Sequence, residues 1–111
     1  MITYDYEIEH LGVHKNLYNH QNVVYEIRGY LIGTLKVVTE NTVQESTIKK
    51  YFVANVPILG EIPNFIEFDD LTKDTIIGWV EKYSFPIIEG LRKEFVEDFY
   101  PTKVYLTPSF K

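Results

Sequence analysis

Cysteine is missing from all 111 residues. Disulfides, thiolate metal sites and cysteine nucleophiles are therefore excluded together, and the compartment is left open. No apolar run approaches the roughly 18 residues a membrane span needs. The opening MITYDYEIEH alternates apolar and acidic residues where a secretory signal would be basic and then apolar, so neither a membrane nor classical export is expected. Basic residues are also in short supply, with 11 Lys and Arg against 16 Asp and Glu and a formal charge of −5. Sequence-independent binding to a phosphate backbone needs clustered cations, so nucleic acid is not an expected partner. Most of the acidic excess falls after residue 56, which would suit a basic partner there, although net charge speaks to solubility first.

What is present is apolar and aromatic. Hydrophobic residues make up 45% of the chain, including nine Tyr and seven Phe. That is enough for a packed core in a single unit over 1–111, with no repeat or low-complexity stretch to divide it.

Residues 2–10 read as a half-buried strand, with Ile2, Tyr4, Tyr6, Ile8 and His10 alternating against polar neighbours. LGVHKNLYNHQN at 11–22 has no sustained period and reads as a connection or an irregular hairpin end. A long strand is expected over 23–38, with Val23, Tyr25, Ile27, Leu31, Leu35 and Val37 in one phase. Gly29 and Gly33 fall in that phase, where a missing side chain signals a bulge, a sharp twist or close approach of another element. TENT at 39–42 turns the chain. Over 43–56 the extended pattern resumes, with Ile48, Phe52, Ala54 and Val56 on one side.

Pro57, Gly60 and Pro63 make 57–68 a connector. The period then becomes helical. Thr72 is placed to cap a helix over 73–83 that carries Asp74 in its first turn and Ile76, Ile77, Val80 and Tyr83 on one face. A second helix starts near Ser84 with Pro86 in its first turn, presents Ile87, Ile88, Leu91, Phe95 and Phe99, and stops at Pro101. The tail YPTKVYLTPSFK is too apolar for a freely solvated end and is expected to pack on something. Strands followed by helices predict an α+β fold, an antiparallel sheet of three or four strands with a C-terminal helical pair on one face.

Chemistry has little foothold. His10, His14 and His20 lie close together and could hold a metal with Glu9, but no metalloenzyme spacing is present and solvated loop histidines are the simpler reading. Asp69, Asp70 and Asp74 do not follow a calcium-loop pattern and suit a helix start. GYLIG at 29–33 is neither a dinucleotide fingerprint nor a phosphate loop. Ser46 and Ser84 sit in no nucleophile-elbow context. No catalytic residue, metal or cofactor is therefore expected. Gly78 inside a helix costs about 1 kcal/mol relative to Ala, which close approach of the helix to the sheet would offset. Trp79 beside it is expected to anchor either the core edge or an interface. The candidate interface comprises Trp79, Val104, Tyr105, Leu106 and Phe110, with Gly78 and Thr72 in structural roles.

Residues 66–80, IEFDDLTKDTIIGWV, followed by a second helix, Pro101, Pro108 and Phe110, resemble a family of small bacteriophage proteins of uncharacterised function. This chain departs from them in its longer, Tyr-rich N-terminal strands and in Phe110-Lys111 where the family has a terminal tryptophan. The resemblance implies a phage origin and a sheet followed by helices, and no catalytic residues. The expected function is that of a non-enzymatic protein working through protein–protein contacts, as a virion component or assembly accessory. A small acidic inhibitor of a host defence or replication protein is the alternative. Location in the virion or the host-cell cytoplasm, and a homo-oligomeric state favoured by an open sheet edge, belong to the same expectation.

Overall fold

The computed structural model describes residues 1–58, 65–102 and 106–110. Three strands, β1 (Ile2–Leu17), β2 (His20–Val38) and β3 (Val43–Asn55), form an antiparallel meander in the order β1-β2-β3. A single 3-10 turn (Phe68–Asp70) leads into helices α1 (Lys73–Tyr83) and α2 (Phe85–Phe99). The expected α+β class holds, with a sheet of three strands.

The strands are long. At about 3.3 Å per residue a 19-residue strand spans about 60 Å, and the molecule measures 65 × 48 × 18 Å. Its radius of gyration is 19.4 Å, well above the ~13 Å of a compact chain of about this size. The 18 Å dimension corresponds to one sheet and one helical layer. The helices cover one sheet face, and among the described residues no helix covers the other.

Residues 11–17, expected to form a connection, continue β1 instead, and β2 begins at His20. The two-residue turn uses Tyr18 and Asn19 at φ 49° and 63°. Positive φ at both positions matches the twist of the flanking strands, so the hairpin closes tightly without glycine.

Two bulges explain why the alternation is hard to follow. Ile8 pairs with Gly29 while His10 pairs with Arg28, leaving Glu9 as an extra residue in β1. The insertion reverses the phase, because side chains alternate with period 2. His10 therefore leaves the inner face, correcting its expected place in the alternation, and Leu11 and Val13 pack against the core. Further along, Gly12 pairs with Glu26 and Val13 with Val24, so Tyr25 is the extra residue in β2. Tyr25 is exposed and Val24 takes the core position, contrary to the single phase expected from Val23 to Val37.

Both strand glycines are close approaches. A Cβ on Gly29 would collide with the Glu7 carbonyl oxygen, where β1 bulges over β2. At Gly33 the obstacle is the ring of Phe95 from α2.

The core joins Tyr6, Val24, Ile27, Leu31, Phe52 and Ala54 of the sheet to Ile76 and Val80 of α1 and Ile88 and Phe95 of α2. Fully burying each larger apolar side chain contributes about 1.5–3 kcal/mol. Thr72 caps α1, its hydroxyl accepting the Thr75 N–H at 3.2 Å. Pro86 cannot continue α1, since its ring would clash with the preceding turn. The chain breaks at Ser84, a buried polar residue whose carbonyl accepts the Ile87 and Ile88 N–H groups. Lys50 on β3 meets Asp98 on α2 at 2.8 Å and lies over the Phe95 ring, tying helix to sheet.

Candidate protein interface

The open sheet face is paired with itself. Tyr30 and Tyr51 meet edge to face across β2 and β3, with ring centroids 5.4 Å apart. Lys49 reaches over the Tyr30 ring to Glu7 at 2.9 Å, bridging β3 to β1, and Arg28 binds Glu26. These charges neutralise one another on a solvated surface.

The strand edge of β1 is different, because among the described residues no strand lies beyond it. A groove of about 660 Å³ runs along this edge, and Asp5, Tyr6, Glu7 and Ile8 all line it. Successive strand residues point to opposite faces. Four in a row can share one cavity only when it lies along the backbone edge. Opposite them the wall combines apolar Leu71 and Ile76, with Phe68 from the 3-10 turn, and polar Thr72 and Lys73, while Leu11 of β1 and Ile32 of β2 add apolar surface. The bulge at Glu9 brings Leu11 into this wall. Neither it nor Phe68 was singled out from the sequence, although the switch of apolar phase between Ile8 and Leu11 was a legible sign.

Asp5 occupies the edge. Its carboxylate accepts the Tyr6 backbone N–H at 2.8 Å and has Lys73 Nζ 3.6 Å away. The Tyr6 N–H is thus turned away from β2 and satisfied by a side chain, a means of blunting an exposed edge donor. The Tyr6 side chain points into the core, with its hydroxyl near the Glu81 carboxylate but in no short hydrogen bond. Burial, reinforced by Glu81, pushes the phenol up to about 12 despite the opposing charge of Arg92.

Of the expected interface residues, Trp79 is half-buried and packs against the core from its edge. Val104 and Tyr105 lie outside the described residues. Leu106 and Phe110 are 83% and 82% exposed, so at these positions the tail does not pack on its own domain, contrary to expectation. Thr102 donates its backbone N–H and its hydroxyl to the Glu97 carboxylate, fixing where the tail leaves α2. Gly78 is exposed and a Cβ there would meet nothing within 4 Å, so the expected close approach to the sheet is absent. α1 meets the sheet through Ile76 and Val80, which lie on the opposite side of the helix.

The histidines are spread apart by the hairpin. His14 packs on Tyr25 with ring centroids 4.8 Å apart, and His20 stacks on Phe65 at 4.1 Å, while His10 is exposed beside Glu9. Among the described residues no group of three or more His, Cys, Asp or Glu is placed to hold a metal ion. Among the same residues no helix is long and apolar enough to cross a membrane.

No curated protein and no solved structure matches the chain. A family model described as a domain of unknown function matches residues 1–103, spanning the sheet and both helices and stopping short of Leu106 and Phe110. The chain therefore belongs to the DUF7936 family.

Proposed function

We propose that the chain is a non-enzymatic bacteriophage protein that acts through protein–protein contacts, as a virion component or assembly accessory. The open, partly apolar groove along β1 is the observation that carries this reading, since an unpaired strand edge is a template for another chain. The resemblance of residues 66–80 and of the proline-punctuated tail to small phage proteins supports the phage origin.

The test is quantitative mass spectrometry of purified particles beside the soluble fraction of infected cells. A fixed number of copies per particle is expected. Absence from particles with abundance in the cell would overturn the virion role. It would favour the second reading, an inhibitor of a host defence or replication protein, which the exposed acids Asp74, Glu81 and Glu94 on the helical layer support. Recovery of one host protein at near-equal amounts in a pull-down would then identify the target.

A further inference from the structure

The geometry points to a specific occupant of the β1 groove: the segment 102–110 of a second copy of this chain, added as a parallel strand beside Ile2–Ile8. This deepens the protein-contact reading and rests on it, naming the partner as the chain itself.

The first support is the pattern of the tail. Val104, Leu106, Pro108 and Phe110 alternate with Lys103, Tyr105, Thr107 and Ser109. That is the period of a strand with one face buried, yet Leu106 and Phe110 are exposed in their own copy. Thr102 is held at the end of α2 by Glu97, so the tail leaves from a defined point, with Leu106 and Phe110 uncovered. The groove supplies the complementary surface, with apolar Leu11, Phe68, Leu71 and Ile76 next to a free backbone edge.

Charge agrees with this pairing. Residues 101–111 contain Lys103 and Lys111 and no acid, whereas β1 presents Asp5, Glu7 and Glu9, of which Asp5 and Glu7 are already faced by Lys73 and Lys49 of their own copy, leaving Glu9 without a lysine partner among the described residues. Opposite charges favour this encounter over tail against tail or edge against edge.

Pro108 decides the direction. Tyr6 turns its side chain to the core and its N–H outward to the groove. In an antiparallel pair, residues whose side chains share the inner face with Tyr6 would also turn their N–H groups toward β1, and Pro108 has none to offer. In a parallel pair the residue opposite Tyr6 keeps its side chain inside and its N–H outside. The even-numbered tail residues then bury their side chains, Pro108 faces away without losing a bond, and Lys103, Tyr105, Thr107 and Ser109 supply the N–H groups. The Asp5 carboxylate gives up the Tyr6 N–H to the incoming strand.

Light scattering of the full chain across a concentration range tests the pairing, compared with the full-length double variant Leu106→Glu/Phe110→Glu. Both substitutions fall on exposed positions outside the core, so circular dichroism should be unchanged. The parent is expected to exceed monomer mass and the variant to dissociate at least tenfold more readily, with the parent's association weakening as salt rises. A synthetic peptide of residues 102–111 added to the labelled variant should shift the backbone amides of Tyr4 to Ile8, and Asp5→Lys should abolish the shift. A parent that stays monomeric, or associates as strongly with both substitutions, overturns the proposal. Peptide shifts confined to the helices overturn it as well. Particle counting stands apart from these results, so loss of the virion role and loss of the tail exchange are separately visible.

Discussion

The Phe95 ring rests directly on Gly33: a Cβ at Gly33 would lie 2.7 Å from the ring's Cδ1. Phe95 is fully buried, with Tyr4 packed edge-on at 5.7 Å and Phe99 stacked at 6.4 Å, so the ring has little room to yield. Gly33→Ala should therefore destabilise the fold by about 1–3 kcal/mol, the usual cost of overpacking. The urea midpoint should fall with an unchanged slope. Gly33→Ala combined with Phe95→Leu should cost less than the sum of the two single changes, because the two positions share one space.

Gly78→Ala should act in the opposite direction. Nothing lies within 4 Å of the added Cβ, and the site is in the interior of α1. Relief of the helical glycine penalty is worth about 1 kcal/mol. The melting temperature should rise by a few degrees, followed by the fluorescence of Trp79, the only tryptophan of the chain.

Thr72→Ala removes the hydroxyl that accepts the Thr75 N–H. A lost cap of this kind costs about 1 kcal/mol. Thr72→Ser and Thr72→Asp should retain most of the stability in chemical denaturation, which would separate capping from simple loss of side-chain volume.

Tyr6 predicts an alkaline limit to stability. Burial is the main cause of its raised phenol, held at about 12 against an ordinary 10, with Glu81 adding to the effect. Between those values the unfolded chain ionises this group and the folded chain does not, so the folded state binds more protons. Tyr6 thus contributes its full share of stability below pH 10, and that share declines as pH rises from about 10 to about 12. Tyr6→Phe should flatten this part of the stability profile measured by denaturant titration. At neutral pH its effect should be small, within about 1 kcal/mol, because the hydroxyl makes no short hydrogen bond and faces only the nearby Glu81 carboxylate.

Short-range chemistry made the helical half legible. Thr72, Pro86 and Pro101 act on the residues next to them, through a cap, a missing N–H and a ring clash, and α1 and α2 begin and end where these residues place them. In the strands, local alternation identified β1 as far as Ile8, the TENT turn and the inner face of β3. It failed between Ile8 and Val24, where extra residues at Glu9 and Tyr25 invert the phase and a turn without glycine mimics a loop. A bulge exists only relative to the partner strand, so one strand's pattern shows a broken period and not its cause.

The candidate interface residues divide along the same line. The apolar character of Leu106 and Phe110 was readable from composition and spacing. Where Gly33 touches α2, why Gly78 touches nothing, and that consecutive β1 residues share one groove were not readable. These follow from how layers meet across the core, through contacts between residues distant in the chain. By itself the sequence determined the two helices, the strand segments outside residues 9–24 and the apolar face of each, because propensity and period are properties of neighbouring residues. Only the tertiary structure decided the phase of the long hairpin, the partner of each glycine and the open edge of β1, because each of these depends on the position of a second element.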